Sequence, residues 1–501
     1  MGASSVFPTG TTIYTPEKCD NGYTLIPVEN LGAVLIDMNG NVVKFWKDFQ
    51  GFPNKLLKGG YCLGSLGLRD AAYSYQDQTD LTQIDWDGNV VWSFDKFEFI
   101  EDEGHEGRWM ARQHHDFQRT GNPVGYPAPE MACQIDNGNT LILCHETIHN
   151  HKISDKQLLD DVFIEVDWEG NIVWKWRMSE HFRELGLSEE VKNVLFRNPN
   201  QHFTKNGELG DWMHINSMSY LGPNKWYDAG DERFHPENII WDAREANIMA
   251  ITDKKTGKIV WQIGPDFTKT PALRKIGQII GQHHCHMIPK GLPGAGNILV
   301  FDNGGWAGYG LPGRLSKDGT KVDQRDHSRI LEIDPVTLKV VWSFKGSDAM
   351  TGLMPIVENS TFYSQLVSSA QRLANGNTLI TEGCFCRVFE VTAEKEIVWE
   401  YRAPFDNLVK DTNGINETCI YRAYRYPYDY VPQLPQPQEI PVKRVDNMSF
   451  RMPGAAEGMI QEITTVVGAE GYKSAMAACV TSEQMSDGLD DGDENAEGIH
   501  F

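Results

Sequence analysis

Three short runs of the chain carry histidines in a pattern that could do chemistry. They are His114-His115-Asp116-Phe117, His214-Ile215-Asn216-Ser217 and His283-His284-Cys285-His286. An imidazole near neutral pH is a nucleophile, a proton carrier and a metal ligand, because its ordinary pKa is about 6.5. Each run stands just before a predicted second strand, and Ser368–Arg372 has the same place in a fourth unit. Equivalent placement in separate units predicts that these side chains meet at one site.

Arg244 could give such a site the local positive charge that an anionic substrate needs. Arg244 follows a predicted strand in the segment IIWDAREAN, and Arg372 ends the fourth run. A guanidinium binds anionic oxygens through its planar fork of donors. A salt bridge from Arg244 to Glu245 or Asp242 is the alternative, and the residues alone leave both uses open.

Six segments share a pattern that must position these residues. Each has an apolar strand, an Asp or Thr, a short turn and a second apolar strand that usually ends in Trp. They are Val34–Trp46, Leu81–Phe94, Phe163–Trp176, Ile248–Ile263, Ile330–Phe344 and Val388–Tyr401. Alternating apolar residues around a turn that tolerates positive φ predict a β-hairpin. Two further strands precede most hairpins, so the pattern predicts an all-β, six-bladed β-propeller with its first strands nearest the axis.

The two ends of the propeller are expected to meet in its first blade. The hairpin Val34–Trp46 has only one clear strand before it, whereas Cys419–Pro427 alternates and is unassigned. We expect Cys419–Pro427 to form the innermost strand of that blade, because closure removes an exposed sheet edge. Tyr421, Arg422 or Arg425 would then reach the central channel.

These motifs resemble the arylsulfotransferase family, the PAPS-independent aryl-sulfate sulfotransferases. The stretches that carry the resemblance are HHDFQR at His114–Arg119, DWMHINSMSYLG at Asp211–Gly222, GQHHCHMIPKGLPGAGNILVFDNGG at Gly281–Gly305, SSAQRLANGNTL at Ser368–Leu379 and YRAYRYPYDYVPQL at Tyr421–Leu434. The resemblance extends from about Thr11 to Leu434. It implies a six-bladed propeller, in agreement with the repeat count.

The resemblance also implies a reaction and a set of residues. The family moves a sulfuryl group from one phenol to another through a sulfated histidine, with no cofactor. By motif, His283 would be the nucleophile, His115 (or His114) and His214 would assist it, and Arg244 would stabilise the sulfuryl oxygens. The residues expected to contact the substrate are His114, His284, His286 and Arg372.

A metal-dependent enzyme on the same propeller is the alternative. It would use Cu, Zn or Fe as a hydrolase, lyase or oxidoreductase on a small aromatic or anionic substrate. Its ligands would be His115, His214, His284 and His286. Alternate strand residues share a face, which groups His284 with His286 and turns His283 away. The pair His145 and His149 is interpreted as part of a loop. A third alternative is a propeller that only recruits protein partners, and such a protein would need no histidines on its inner strands.

The composition limits the partners. The net charge of −23 disfavours nucleic acid and anionic membranes, and no apolar run reaches the roughly 18 residues that a membrane span needs. A small aromatic substrate is expected, and a homo-oligomer is left open. Met1–Pro8 shows no leader, which predicts a cytoplasmic protein or a periplasmic mature form with its leader removed.

Three parts of the chain are expected. Residues 1–440 form the propeller, 441–480 a C-terminal extension and 481–501 a disordered acidic tail. The tail contains SDGLDDGDENAE at Ser486–Glu497, which has no apolar face to bury. Within the propeller, the longest loop, Ser179–Gly210, is expected to be partly helical.

Overall fold

The computed structural model describes residues 9–444, apart from 29–30, 71, 75, 123, 205–206, 315, 349–360 and 406–419. Only the backbone is described at 201–204 and 207–208. The predicted acidic tail and the extension beyond residue 444 lie outside the described residues, as does Cys419. Within the part of the chain that is described, no helix combines the length and the apolar character that a bilayer crossing requires.

The described residues form 31 strands, numbered here in chain order. They are β1 (Gly10–Tyr14), β2 (Tyr23–Val28), β3 (Gly32–Ile36), β4 (Val42–Lys47), β5 (Gln50–Leu57), β6 (Tyr61–Ser65), β7 (Leu81–Ile84), β8 (Val90–Phe94), β9 (Glu98–Ile100), β10 (Arg108–Met110), β11 (Gln113–Arg119), β12 (Thr140–His149), β13 (Gln157–Val166), β14 (Ile172–Arg177), β15 (Gln201–Thr204), β16 (Gly207–Asp211), β17 (Ile215–Tyr220), β18 (Ile239–Ala243), β19 (Ile248–Thr252), β20 (Ile259–Ile263), β21 (His283–Met287), β22 (Ile298–Asp302), β23 (Ala307–Tyr309), β24 (Thr320–Asp323), β25 (Arg329–Ile333), β26 (Val340–Lys345), β27 (Ser369–Arg372), β28 (Thr378–Glu382), β29 (Arg387–Val391), β30 (Ile397–Arg402) and β31 (Tyr424–Tyr426).

All α-helices of the described residues lie between strands. The α-helices are α1 (Glu189–Arg197), α2 (Lys225–Asp228) and α3 (Pro271–Ile276), and the longest 3₁₀ segment is Met178–Leu185. Two of these elements fall in the loop Ser179–Gly210, which confirms that it is partly helical. The Ser188 side chain caps α1 by accepting a hydrogen bond from the Val191 N–H.

Six antiparallel sheets form the blades of a propeller. From the axis outward they are β31-β2-β3-β4, β5-β6-β7-β8, β11-β12-β13-β14, β17-β18-β19-β20, β21-β22-β25-β26 and β27-β28-β29-β30. This confirms the predicted all-β, six-bladed propeller, and the two outer strands of each blade are the predicted hairpins. The first blade takes its innermost strand, β31, from the C-terminal side, where Thr24 pairs with Arg425. The predicted closure is therefore confirmed, and β1 adds an outer edge to the sixth blade.

The hairpin turns follow from their sequence. In the first blade an Asp37 carboxylate oxygen accepts the N–H groups of Asn39 and Asn41, each at 2.9 Å. Such a side chain replaces a backbone turn partner. Gly40 has a φ of 82°, which a residue with a Cβ rarely adopts. The short motif Asp-x-x-Gly-Asn is therefore enough to reverse the chain.

A ring of tryptophan contacts joins the blades. In every blade, a tryptophan indole N–H of the outermost strand donates to a turn carbonyl of the next blade. The six bonds run from Trp46 to Trp86, Trp92 to Trp168, Trp174 to Lys254, Trp261 to Pro335, Trp342 to Ala393 and Trp399 to Met38. The last bond returns to the first blade, so the contacts form a closed circle.

Candidate active site

The backbone at the start of three inner strands leaves regular strand geometry. His115, His214 and His284 have φ angles of 54°, 51° and 54°, and the pairing of β11, β17 and β21 with the next strand shifts register there. The left-handed region is rare for residues with a Cβ, and such residues cluster at functional sites. Simple alternation of side chains along a strand does not predict these positive φ angles and register shifts at the histidines.

The inner ends of all six blades enclose one cavity of about 170 Å³. Each blade contributes a residue on or just before its innermost strand. In blade order these are Tyr421, Phe52, His115, His214, His283 and Val367. The other lining residues are Gln76, Arg244, Glu245, Trp306, Lys321 and Leu366. The cavity therefore lies on the propeller axis, and it brings together the four residues predicted to be catalytic.

His283 is held in a defined orientation. Its Nδ1 lies 2.8 Å from Asn303 Oδ1. The Asn303 side-chain nitrogen donates to the carbonyls of Ser364 and Val367 at 2.7 and 2.9 Å, so the amide oxygen must face the imidazole. Nδ1 of His283 then carries the proton, and Nε2 keeps its lone pair.

The other two cavity histidines are also anchored through Nδ1. His214 forms a very short contact with the Asp211 carboxylate. His115 lies 2.6 Å from Nδ1 of His114, and its ring meets that of His214 edge to face at 4.6 Å. All three residues line the cavity, and in each ring the anchoring contact is made by Nδ1.

Burial keeps two of these rings neutral. The pKa of His283 lies well below its usual range because the ring is buried and because Arg244 is positive. Burial, reinforced by His214, likewise lowers the pKa of His115. A buried ring favours its uncharged form unless an opposite charge compensates, so both rings are uncharged at neutral pH.

The cavity lining contains two cations, Arg244 and Lys321, and one carboxylate, Glu245. Arg244 follows β18 and forms the ion pair with Glu245 that the sequence left open, while its second terminal nitrogen donates to the Trp306 carbonyl at 3.1 Å. Its Nε is buried without a hydrogen-bond partner in the described residues. Lys321 adds a second cation to the lining.

Aromatic rings form another part of the wall. Phe52 stacks on Tyr421 with ring centres 3.8 Å apart, and it meets His115 edge-on at 4.7 Å. Trp306 and Lys321 also line an adjoining open groove of about 510 Å³. An apolar cavity of about 150 Å³ can hold benzene, so a cavity of about 170 Å³ has the volume for a single aromatic ring.

His284 and His286 do not line this cavity. Their rings lie 4.3 Å apart, in a buried cluster where Tyr126 bonds His286 Nε2 at 2.9 Å and Tyr424 approaches His284 Nε2 at 3.4 Å. The predicted grouping of His284 with His286 is thus present. The four histidines of the metal alternative accordingly fall into two pairs, one at the cavity and one in this cluster.

Two more predicted substrate contacts also lie outside the cavity lining. Arg372 pairs with Glu332 at 2.7 Å. His114 stacks on His145 with ring centres 3.5 Å apart.

The interpretation of His145 and His149 as loop residues is wrong, because both lie on the ten-residue strand β12. That strand and its partner β13 pair along their full length.

Sequence reasoning missed several residues that line the cavity or orient a side chain in it. Asn303 stands inside the quoted motif GNILVFDNGG, yet its role depends on carbonyls more than 60 positions later. Phe52, Trp306 and Lys321 reach the cavity from loops or irregular strand ends. No local periodicity indicates such positions, since they depend on contacts between blades.

The fold and the cavity together define a six-bladed propeller with a histidine-lined axial site. The family model described as Arylsulfotransferase (ASST) matches residues 131–422, more than half of the chain. The chain therefore belongs to the arylsulfotransferase family. Membership implies aryl sulfate sulfotransferase activity. The match includes His214, Arg244 and His283, whereas His115 precedes it.

Solved structures resemble the chain only in fold. A protein of unknown function from Bacteroides caccae is 12% identical, with 81% of this chain and 99% of that chain covered and a TM-score of 0.40. Dihydro-heme d1 dehydrogenase NirN is 10% identical over 85% and 79%, with a TM-score of 0.35. Apo AztD from Citrobacter koseri is 8% identical over 80% and 98%, with a TM-score of 0.31. Likeness at this level says nothing about function, and no curated protein matches the chain.

Proposed function

We propose that this protein moves a sulfuryl group from an aryl sulfate to a phenolic acceptor through a covalent sulfohistidine at His283. The observation that carries the proposal is the bond between His283 Nδ1 and Asn303 Oδ1. Because Asn303 is fixed by two carbonyls, the lone pair of His283 Nε2 is directed away from this anchor and remains available in the cavity. A nucleophile needs such an orienting partner.

In the first half-reaction, His283 Nε2 attacks the sulfur of the aryl sulfate. The N–S bond forms as the bond from sulfur to the aryl oxygen breaks, and the phenolate leaves with that electron pair. His214 acts as the general acid and gives a ring proton to the phenolate, while Asp211 orients the ring. Arg244 and Lys321 stabilise the sulfuryl oxygens.

In the second half-reaction, a phenol occupies the place of the first product. Its oxygen attacks sulfur, His214 takes the hydroxyl proton, and the N–S bond breaks with its electrons returning to His283. The enzyme regains its starting protonation state. The stacked pair Phe52 and Tyr421 offers an aromatic surface that either phenol can use.

Trapping the intermediate tests the proposal. The full chain is mixed with 4-nitrophenyl sulfate without acceptor, quenched and digested for mass spectrometry. We expect an added mass of about 80 Da on His283, one SO₃ group, together with a burst of one phenol per site. Fragmentation distinguishes His283 from His284 and His286 in the same peptide.

The matched control is His286→Gln, which alters the same strand but not the cavity lining. It should retain both the adduct and the burst, whereas His283→Ala should lose both. An unmodified His283 peptide in an active enzyme, or full activity of His283→Ala, would refute the covalent mechanism.

A further inference from the structure

A second group of titratable side chains lies behind the cavity, within the third blade. His114, His145 and Asp161 stand on the adjacent strands β11, β12 and β13, and His145 is the direct cross-strand partner of Asp161. One ligand atom from each lies within 4.8 Å of the others. None of the three residues is more than 1% exposed. The pairing of the strands therefore places three donors together in the interior.

The atoms that face one another have no hydrogen-bond partner within the described structure. They are Nε2 of His114, Nε2 of His145 and Oδ1 of Asp161. Buried polar atoms are usually satisfied, because an unsatisfied one costs about 1–3 kcal/mol. Three such atoms in one buried cluster form a donor set that an electrophilic ligand such as a metal ion can satisfy.

The opposite sides of the same groups are anchored. His145 Nδ1 bonds Asp77 at 2.7 Å, Asp161 Oδ2 accepts the Ile215 N–H at 3.2 Å, and His114 Nδ1 lies 2.6 Å from His115. Metal-bound histidines characteristically donate their other ring nitrogen to a carboxylate or similar acceptor, which fixes the tautomer. Asp77 and His145 have this arrangement.

We propose that His114, His145 and Asp161 bind one divalent transition-metal ion of the Zn²⁺ class. Two imidazoles and a carboxylate are a donor set typical of such ions. The distance from His114 Nε2 to Asp161 Oδ1 is 3.4 Å, close to the edge of about 3.4 Å that metal–ligand bonds of about 2.1 Å give in a tetrahedral site. The two imidazoles stack at 14°, so the ion requires His145 to tilt toward it.

The ion would also set the proton position in the cavity, an extension that rests on the proposed function. An ion on His114 Nε2 leaves the proton of that ring on Nδ1, which then donates to His115 Nδ1. His115 must in turn carry its proton on Nε2 and present a donor to the cavity. His114 and Asp161 thus act as positioning residues for His115.

The experiment uses the untagged full chain, freed of metal by chelator and dialysis and then titrated with Zn²⁺ or Co²⁺ alone. We expect one equivalent to bind by elemental analysis, visible d–d absorption of bound Co²⁺ and a higher melting temperature with Zn²⁺. Asp161→Asn and His145→Ala should weaken binding at least about 100-fold. His149→Ala, on the exposed end of β12, is the matched control and should bind as the wild type does.

The metal site would be overturned if the wild-type chain bound no stoichiometric metal and showed no Zn²⁺-dependent change in melting temperature. The three side chains would then share a proton instead of a metal ion. Unchanged affinity in folded Asp161→Asn would also overturn it. Neither measurement uses an aryl sulfate, and the sulfohistidine trap can be run on metal-free protein. Failure of the metal site is therefore distinguishable from failure of the proposed transferase.

Discussion

The outer hairpins repeat one turn and one tryptophan contact around the ring, whereas the inner strands depart from regular geometry where they present histidines. Outside, an Asp carboxylate holds the turn in the first five blades and the Thr392 hydroxyl holds it in the sixth, while an indole joins each blade to the next. Inside, His115 and His214 adopt left-handed backbone angles at the cavity. The contrast shows that regular outer elements provide the rigidity which allows the inner residues to be strained.

The largest effect should follow from removing the inner nucleophile. His283→Ala should lower kcat roughly 10⁴–10⁶-fold, because the residues of a covalent site act as a unit. The melting temperature should change little, since the ring faces a cavity. Steady-state kinetics and calorimetry on the same preparation check both; a large loss of stability would mean that His283 supports the fold as well.

The second inner histidine should matter less. His214→Ala removes the proton carrier that Asp211 orients, and general acid–base help is typically worth 10²–10⁴-fold. The loss should shrink when the leaving phenol is more acidic, because its phenolate needs no proton. A series of aryl sulfates with differing phenol pKa values measures this; an equal loss across the series would contradict the role.

A smaller effect is expected in the pH dependence of activity, which depends on the protonation of His283. Burial and Arg244 lower the pKa of His283, and the ring must be neutral to attack. Activity should therefore persist as the pH falls through the ordinary histidine value of about 6.5, and should fail only below it. The acidic limb of kcat/KM reports this group, and a limb at or above 6.5 would oppose the assignment.

The smallest effect on activity should come from the outer ring. Trp399→Phe deletes the indole N–H that donates to the Met38 carbonyl at 2.7 Å, in a fully buried position. We expect a loss of about 1–3 kcal/mol in unfolding free energy with kcat unchanged. Trp342→Phe is the control, because the equivalent bond from Trp342 to Ala393 is exposed. Chemical denaturation should therefore show a larger loss of unfolding free energy in Trp399→Phe than in Trp342→Phe.

The sequence was sufficient for the parts that repeat. Six turn motifs, the alternation around them and the unassigned strand near Tyr424 predicted the blades and their closure. It was insufficient where function depends on distant contacts, as for Asn303 and Phe52. His145 was misinterpreted because polar residues extend β12 beyond its apolar part.

The closure of the first blade has a consequence for biosynthesis. Arg425 Nε donates to Thr24 Oγ1 across 401 positions of the chain, so β2 must wait unpaired on its inner side until almost the whole propeller has left the ribosome. Tyr421, which completes the cavity wall, arrives with the same segment. Contacts of such long range form late and slowly. A nascent or truncated chain would thus lack a complete site, and catalytic competence would itself report that the ring has closed.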